Sequence, residues 1–465
     1  MNTPIISIPA WSYPWIRGTF TCFCSLMLLA ACSKPVPELP PSKKYGAPND
    51  GAFATRTVFY PARQKTQLHT GVYDAKSQRT YVVYPAGKKD GLSACSPYII
   101  YYDHKEGFWS IPVEITASPV KPDAHNYPQL LIDSKGHLHV LQAFHGNHDI
   151  LHAVSKHPED ITSWKVSYIK ETKGATYGAA YKAKDGTFYF LSRIREKATP
   201  SHENYEPEYY LKSTDDGKTW QKQRLIDPRP HADGWGTIYT KGILYSKEPE
   251  GLHITFGVHQ KHNIYLQKHY YIFFKFSDGQ VYNAKGEALG SDVDRKEYEA
   301  SCLLFAHTHR QDFYNVRVAL AQTPDKQPVI LYNRKADRDG KTSQGTPIKE
   351  GEQRLIKASW DGQKWLHQDL GYTSVYPFGA QAISKDKIRL FATKSRKTFN
   401  EYILEGDKLT QGKQLAKVQK EDHVLTHIMW LTHSAPSLSG MYYEAPRASW
   451  HKPPANGSLF GFALP

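Results

Sequence analysis

Cysteine is scarce in this sequence. Five occur in 465 residues, three of them within the first 32, and only Cys95 and Cys302 lie beyond. Two cysteines do not make a disulfide framework, so a chain of this length is expected to be held by a hydrophobic core. No stretch carries a sustained apolar repeat of 3.6 residues, which argues against a helical fold. No glycine-rich strand-to-helix fingerprint of a phosphate-binding fold is present. No pair of carboxylates stands out as the motif of an ordinary glycosidase. Basic residues are abundant, 59 Lys+Arg against 45 Asp+Glu for a net charge of +14. They are scattered, however, and no nucleic-acid recognition motif accompanies them, so nucleic acid is not expected as a partner. The same balance suits a different polyanion, and an acidic polysaccharide bearing sulfate or uronate fits it.

What the sequence does have is strand. Thirty-one tyrosines and ten tryptophans sit in short runs broken by polar turns. Strands are expected at 56–62, 79–85, 97–102, 137–145, 149–155, 164–169, 177–182, 187–193 and 207–213, and the pattern continues to 427–433. One four-stranded unit recurs every ~60 residues, so residues 46–465 are expected to form one all-β, seven-bladed β-propeller of four-stranded antiparallel blades. The octet Ser213-Thr214-Asp215-Asp216-Gly217-Lys218-Thr219-Trp220 predicts a tight turn between two antiparallel strands. Its Asp would accept backbone N–H bonds and its Trp would pack on the sheet. Shorter echoes occur at Ser277–Gln280 and Ser359–Trp365. The octet resembles an Asp-box, a structural mark of propellers that handle glycans. Residues 334–352 read as an exposed loop.

The amino terminus reads as processing. Arg17 precedes a largely apolar run over 18–31, too short to span a bilayer comfortably. The run ends in Leu29-Ala30-Ala31-Cys32, which resembles a bacterial lipoprotein signal. That resemblance implies a signal peptide over 1–31, a diacylglyceryl group on Cys32, and attachment at a Gram-negative envelope. Ser33 resembles the outer-membrane sorting pattern, and release as a secreted protein is the other placement. Residues 32–45, with Pro35–Pro41 (PVPELPP), read as a stiff tether.

Chemistry concentrates between residues 123 and 195. Two strand candidates flank the turn Asp133-Ser134-Lys135-Gly136, with His125 at one outer end and His145 at the other. If they pair as a hairpin, both imidazoles reach one sheet edge. Tyr177 begins one following strand and Arg193 ends the next, an equivalent arrangement. Two imidazoles, a phenol and a guanidinium suit β-elimination from a uronate. A cation neutralises the carboxylate while a base takes the C5 proton and an acid protonates the departing O4. Either an imidazole or a phenol can serve as base, and this pattern does not choose between them. Asn126, Arg195, His231 and Tyr239 are the candidate substrate contacts beside them.

Residues 79–220 resemble the BNR-repeat polysaccharide-active propellers, and among them the ulvan lyases of polysaccharide lyase family 25, with family 24 as a related alternative. The resemblance is carried by Tyr81–Tyr84, Tyr102-Asp103-His104, Trp109, His125-Asn126-Tyr127-Pro128, Gly136–Val140, His145-Gly146, Thr176-Tyr177 and Arg193. It implies cleavage of ulvan, a sulfated rhamnose and uronic acid polymer, to unsaturated uronyl ends. It also implies roles at the substrate uronate for His125 and His145, acid or base duty for Tyr177, and carboxylate neutralisation by Arg193. Gly178 departs from the family, where proline commonly follows the tyrosine. The family further implies a structural metal ion. His253, His259, His262, His269, Cys302, His307 and His309 are dense in sequence, and three imidazoles with a thiolate would close a zinc site. The expected ligands are His253, His269, Cys302 and His307; catalysis itself needs no cofactor. A monomer is expected. The rival readings are a sialidase-like Asp-box hydrolase and a non-catalytic, glycan-binding surface lipoprotein.

Overall fold

The strand Arg79–Ala86 reads RTYVVYPA because both of its faces are covered. Tyr81 and Val83 point into one core cluster, shared with Leu130, Leu138 and Val140 of the following sheet. Val82 and Tyr84 point into another, shared with Met429, Met441 and Tyr443 near the carboxyl terminus. Alternate side chains leave a strand on opposite faces, so a sheet packed between two others needs apolar residues at every position. The aromatic-rich composition follows from that need.

The computed structural model describes residues 53–55, 69–86, 96–118, 120, 125–145, 148–196, 204–229, 235–259, 268–306, 316–335, 353–372, 375–446 and 457–464. The leader, Cys32, the tether, the run at 56–62, most of the 334–352 loop, His231 and His307 lie outside them. The described part is all-β apart from one short helix. Four of its sheets are four-stranded antiparallel units in a propeller-like arrangement. The first of the four joins Pro128–Ile132, Leu138–Gln142, Ile150–Ser155 and Trp164–Ile169. The second joins Ala175–Lys182, Phe188–Ile194, Glu208–Ser213 and Gln221–Ile226. Next comes a seven-stranded sheet built on Trp235–Lys247, Glu250–His259 and Lys268–Lys275, followed by the other two four-stranded units over 318–372 and 375–417. A nine-stranded sheet combines His69–Asp74 and its partners with His423–Ala435 and its partners, through one parallel pairing. Phe53–Thr55 closes onto Gly457–Phe462.

The octet forms the turn between Glu208–Ser213 and Gln221–Ile226. Asp215 accepts from the Thr219 N–H at 2.9 Å and the Thr219 hydroxyl at 2.6 Å. The Gly217 N–H donates to Ser213 Oγ at 2.9 Å, and Trp220 Nε1 donates to the Gly217 carbonyl at 3.1 Å. Asp278 and Asp361 hold equivalent turns by accepting from Gln280, Gln363 and Lys364 N–H groups.

Gly217 also lies against a buried histidine pair. A Cβ there would come within 2.9 Å of His152 Cε1. His139 Nδ1 and His152 Nε2 are 3.1 Å apart, and Asp133 lies 3.4 Å from His139 Nε2. Burial lowers both imidazoles, and the charge of His139 helps push His152 down to about 3, whereas Asp133 only partly offsets the effect at His139. His152 therefore stays neutral in the folded protein through mildly acidic pH. The unfolded chain takes up this proton near pH 6.5 and the folded chain does not, so this contribution is intact above about pH 6.5 and fades below it. The expected slope from His152 is about 1.4 kcal/mol per pH unit. Denaturant titrations between pH 7 and 5 measure it, and His152→Phe should flatten the dependence.

The helix Arg295–Ser301 has no counterpart among the elements expected from sequence. It is capped by Asp294, whose side chain accepts from the Glu297 N–H while Glu297 returns a bond to the Asp294 backbone. At seven residues it is too short to show an apolar period, and this capping box is its only local signal.

Candidate active site

The first hairpin carries two of the expected residues. Asp133 accepts from the Lys135 and His137 N–H groups, each at 2.8 Å, and Gly136 takes a positive φ of 91°. This fixes the register that pairs Pro128 with Gln142. His125 and His145 then lie just past the open end, and their rings are 4.1 Å apart. Asn126 ties that end together. Its Oδ1 accepts from the His145 N–H at 2.8 Å, and its carbonyl accepts from Gln142 Nε2 at 3.1 Å. Asn126 is buried, so what it visibly does is brace the His145 backbone.

Tyr177 enters from the next sheet at an irregular point. Pairing with the neighbouring strand shifts between Thr176 and Ala179, and Tyr177 adopts φ 60°. A bulge of this kind re-aims a side chain, here to 4.9 Å from the His125 ring. Gly178 makes the bulge possible, because a Cβ there would lie 2.2 Å from the Phe190 ring. The same crowding favours glycine over proline at position 178. Gly178→Ala is expected to cost about 1–3 kcal/mol of stability by overpacking, read as a lower melting midpoint.

Arg193 stands in register with Thr176 and is buried. Its guanidinium carbon lies 4.8 Å from the Tyr177 ring centre and 4.5 Å from that of Tyr239. Nε is 3.1 Å from Glu206 Oε2 in an ion pair, and neither Nε nor Nη1 has a hydrogen-bond partner among the described residues. Burial alone would lower the guanidinium pKa, but Tyr239, Glu206 and Tyr177 outweigh it and raise the value. Glu206 is shared with Arg195, whose Nη2 and Nε both lie 2.5 Å from Oε1. Burial would raise the Glu206 carboxyl, but Arg193, Arg195 and His145 hold it below the usual range. Arg195 itself is about half exposed at the rim.

His125, His145, Tyr177, Arg193 and Tyr239 thus form one continuous cluster, with Asn126 and Arg195 bracing its edges. Glu206 joins them without having been expected from sequence. It sits on the short strand Asn204–Glu206, which pairs in parallel with Trp235–Thr237 of the next sheet. That long-range pairing leaves no local motif, and alternation of acids and aromatics in Tyr205-Glu206-Pro207-Glu208-Tyr209 is the available hint.

The described members of the expected metal set, His253, His269 and Cys302, do not come together, and His307 lies outside the described residues. His253 pairs with Phe273 and His269 with Gly257. The two imidazoles are therefore four positions apart along the sheet, about 13 Å. His253 Nδ1 contacts the Tyr271 hydroxyl at 2.6 Å, and the His269 ring stacks on Phe305. Cys302 packs in a different cluster with Tyr270 and Tyr298, and burial pushes its thiol up to about 11, which favours the thiol over the ligating thiolate. No group of three His, Cys, Asp or Glu among the described residues could hold a metal ion. These residues do not fit a shared zinc ion, and no step is assigned to one.

An all-β, propeller-like chain with an aromatic and cationic cluster of this kind belongs to a known class. Residues 72–371 match the model of the BNR repeat-containing family, and the chain belongs to that family. Among curated proteins it is 26% identical over 376 residues to an ulvan lyase of Alteromonas sp. (strain LOR), covering 71% of this chain and 69% of that one. It is also 26% identical over 389 residues to an ulvan lyase of family PL25 from Pseudoalteromonas sp. (strain PLSV), covering 76% and 73%. A solved PL25 ulvan lyase bound to -[GlcA(1-4)Rha3S]- superposes with a TM-score of 0.67 at 16% identity, over 89% of this chain and 96% of that one.

Proposed function

We propose that this protein is a polysaccharide lyase that cleaves ulvan by β-elimination at the O4 link of a uronate. The observation that carries the reading is the cluster of His125, His145, Tyr177, Arg193 and Tyr239, which gathers a cation and several proton-transfer groups at one place. The names of its relatives point to the same substrate.

In this mechanism the uronate carboxylate approaches Arg193 Nη1, while Glu206 stays ion-paired with the guanidinium on its Nε side. Negative charge moves onto the carboxylate as the C5 proton leaves, and the guanidinium stabilises it in a site largely shielded from water. His125, His145 and Tyr177 surround the position where C5 and O4 would sit. One removes the proton and another protonates O4 as the C4–O4 bond breaks and a C4–C5 double bond forms. Glucuronate and iduronate present the C5 proton on opposite faces, so the base can differ between them. Arg195 at the rim would meet a neighbouring sulfate or carboxylate.

Seven blades are the count this reading favours. Six core clusters join neighbouring sheets and a seventh joins the two halves of the nine-stranded sheet, which divides into first and last blades at its parallel pairing. Lipidation at Cys32 after removal of residues 1–31 would place the enzyme on the outer membrane. Palmitate labelling that vanishes in Cys32→Ala is the expected result.

Mixing the protein with ulvan tests the function. Ultraviolet absorbance of the conjugated double bond should rise together with new reducing ends. Reducing ends without absorbance would identify a hydrolase, and neither signal would identify a binder.

A further inference from the structure

The inner strands run in one direction, from the cleft toward the opposite face. Tyr177 and Tyr239 lie near the beginnings of Ala175–Lys182 and Trp235–Lys247, whereas Lys182 and Lys247 end those strands. Five residues of strand separate Tyr177 from Lys182, roughly 16 Å. At that far end a cavity of about 920 Å³ opens, lined by strand ends from the sheets around it.

Its lining is chemically uneven. Lys182, Lys184, Lys247 and His433 face it, together with the rings of Tyr73 and Tyr245. Lys182 Nζ donates to the Ile132 carbonyl and Lys184 Nζ to the Lys247 carbonyl, each at 2.8 Å. Those bonds fix the side chains without neutralising them, and no carboxylate among the described residues pairs with any of the three lysines. Two carboxylates, Asp74 and Asp133, also line the cavity and stay ionised, so three ammonium groups against two carboxylates leave the lining cationic. Asp74 accepts from Ser77 and Lys76, and Asp133 holds its own turn and His139. Lys182, Lys247 and His433 line the same cavity, and partial desolvation with the two lysine charges keeps the His433 imidazole below its usual range.

We infer that this far mouth is a second binding site, taking the sulfate- or carboxylate-bearing unit of an oligosaccharide. An excess of ammonium groups in a concave pocket, two of them held in place, favours an anion, and the flanking tyrosine side chains offer flat apolar surface to a sugar. The volume is in the range that encloses a small ligand. The choice of a sugar rests on the function proposed above; the anion-binding character does not.

The probes are inorganic sulfate and the sulfated unsaturated ulvan disaccharide, prepared with a different lyase so that binding is read whether or not this protein cleaves. Calorimetry on the full chain carrying Arg193→Ala should show one disaccharide site. Adding Lys182→Gln and Lys247→Gln should weaken that site about tenfold or more, because each ammonium group removed takes a charge-assisted hydrogen bond from a small ligand that makes few of them. The two lysine changes alone should leave the initial rate on ulvan and the melting midpoint near wild type. Unchanged disaccharide affinity after the lysine changes would overturn the site, as would no disaccharide binding to Arg193→Ala. Sulfate binding without disaccharide binding would overturn its assignment to an oligosaccharide.

Discussion

Arg193→Ala is expected to lower the rate on ulvan by about a thousandfold, the upper end of what one preorganised charge-stabilising group contributes. The protein should remain folded, because Glu206 keeps Arg195 as a partner and is not left as an isolated buried charge. Lysine at this position should restore little. An ammonium group is not a plane that can lie against both the Tyr177 and Tyr239 rings while also meeting Glu206 and a sugar carboxylate. Initial rates from ultraviolet absorbance, taken alongside thermal melts, read both effects. An alanine variant keeping a tenth or more of the wild-type rate would remove Arg193 from the mechanism.

Tyr177→Phe should reduce kcat by roughly a hundredfold or more, the usual weight of a positioned acid or base. Phenylalanine keeps the ring that packs beside His125 and beneath Arg193, so the melting midpoint and KM should change little. Because the base can differ with the face of the C5 proton, the loss should differ between glucuronate-rich and iduronate-rich substrates. Equal losses on both would assign Tyr177 one role, shared by both reactions. Wild-type kcat on both would show that the phenol transfers no proton.

Much of this site is legible in the sequence because local rules place it. A turn centred on Asp133 and Gly136 with alternating strands fixes where His125 and His145 emerge, and strand boundaries do the same for Tyr177 and Arg193. The Asp-box is legible for a similar reason, since its hydrogen bonds close within eight residues. Features that depend on pairing between distant segments are not legible. Glu206 reaches Arg193 from a strand paired with the next sheet, and Tyr239, expected as a substrate contact, lies against the Arg193 guanidinium instead. Burial of the Arg193 guanidinium beneath two rings is equally hidden, because cation stacking leaves no sequence period. The histidine-rich stretch misleads in the opposite direction. Residues close in sequence there diverge once strand register separates His253 from His269 and the core takes Cys302 elsewhere.

The most direct measurement is a crystal structure of Tyr177→Phe with an ulvan tetrasaccharide. The account predicts a uronate with its carboxylate at Arg193 Nη1, and C5 facing the space between His125, His145 and residue 177. A tetrasaccharide seated elsewhere, or bound with its carboxylate away from Arg193 and no uronate carbon near the histidines, would contradict it.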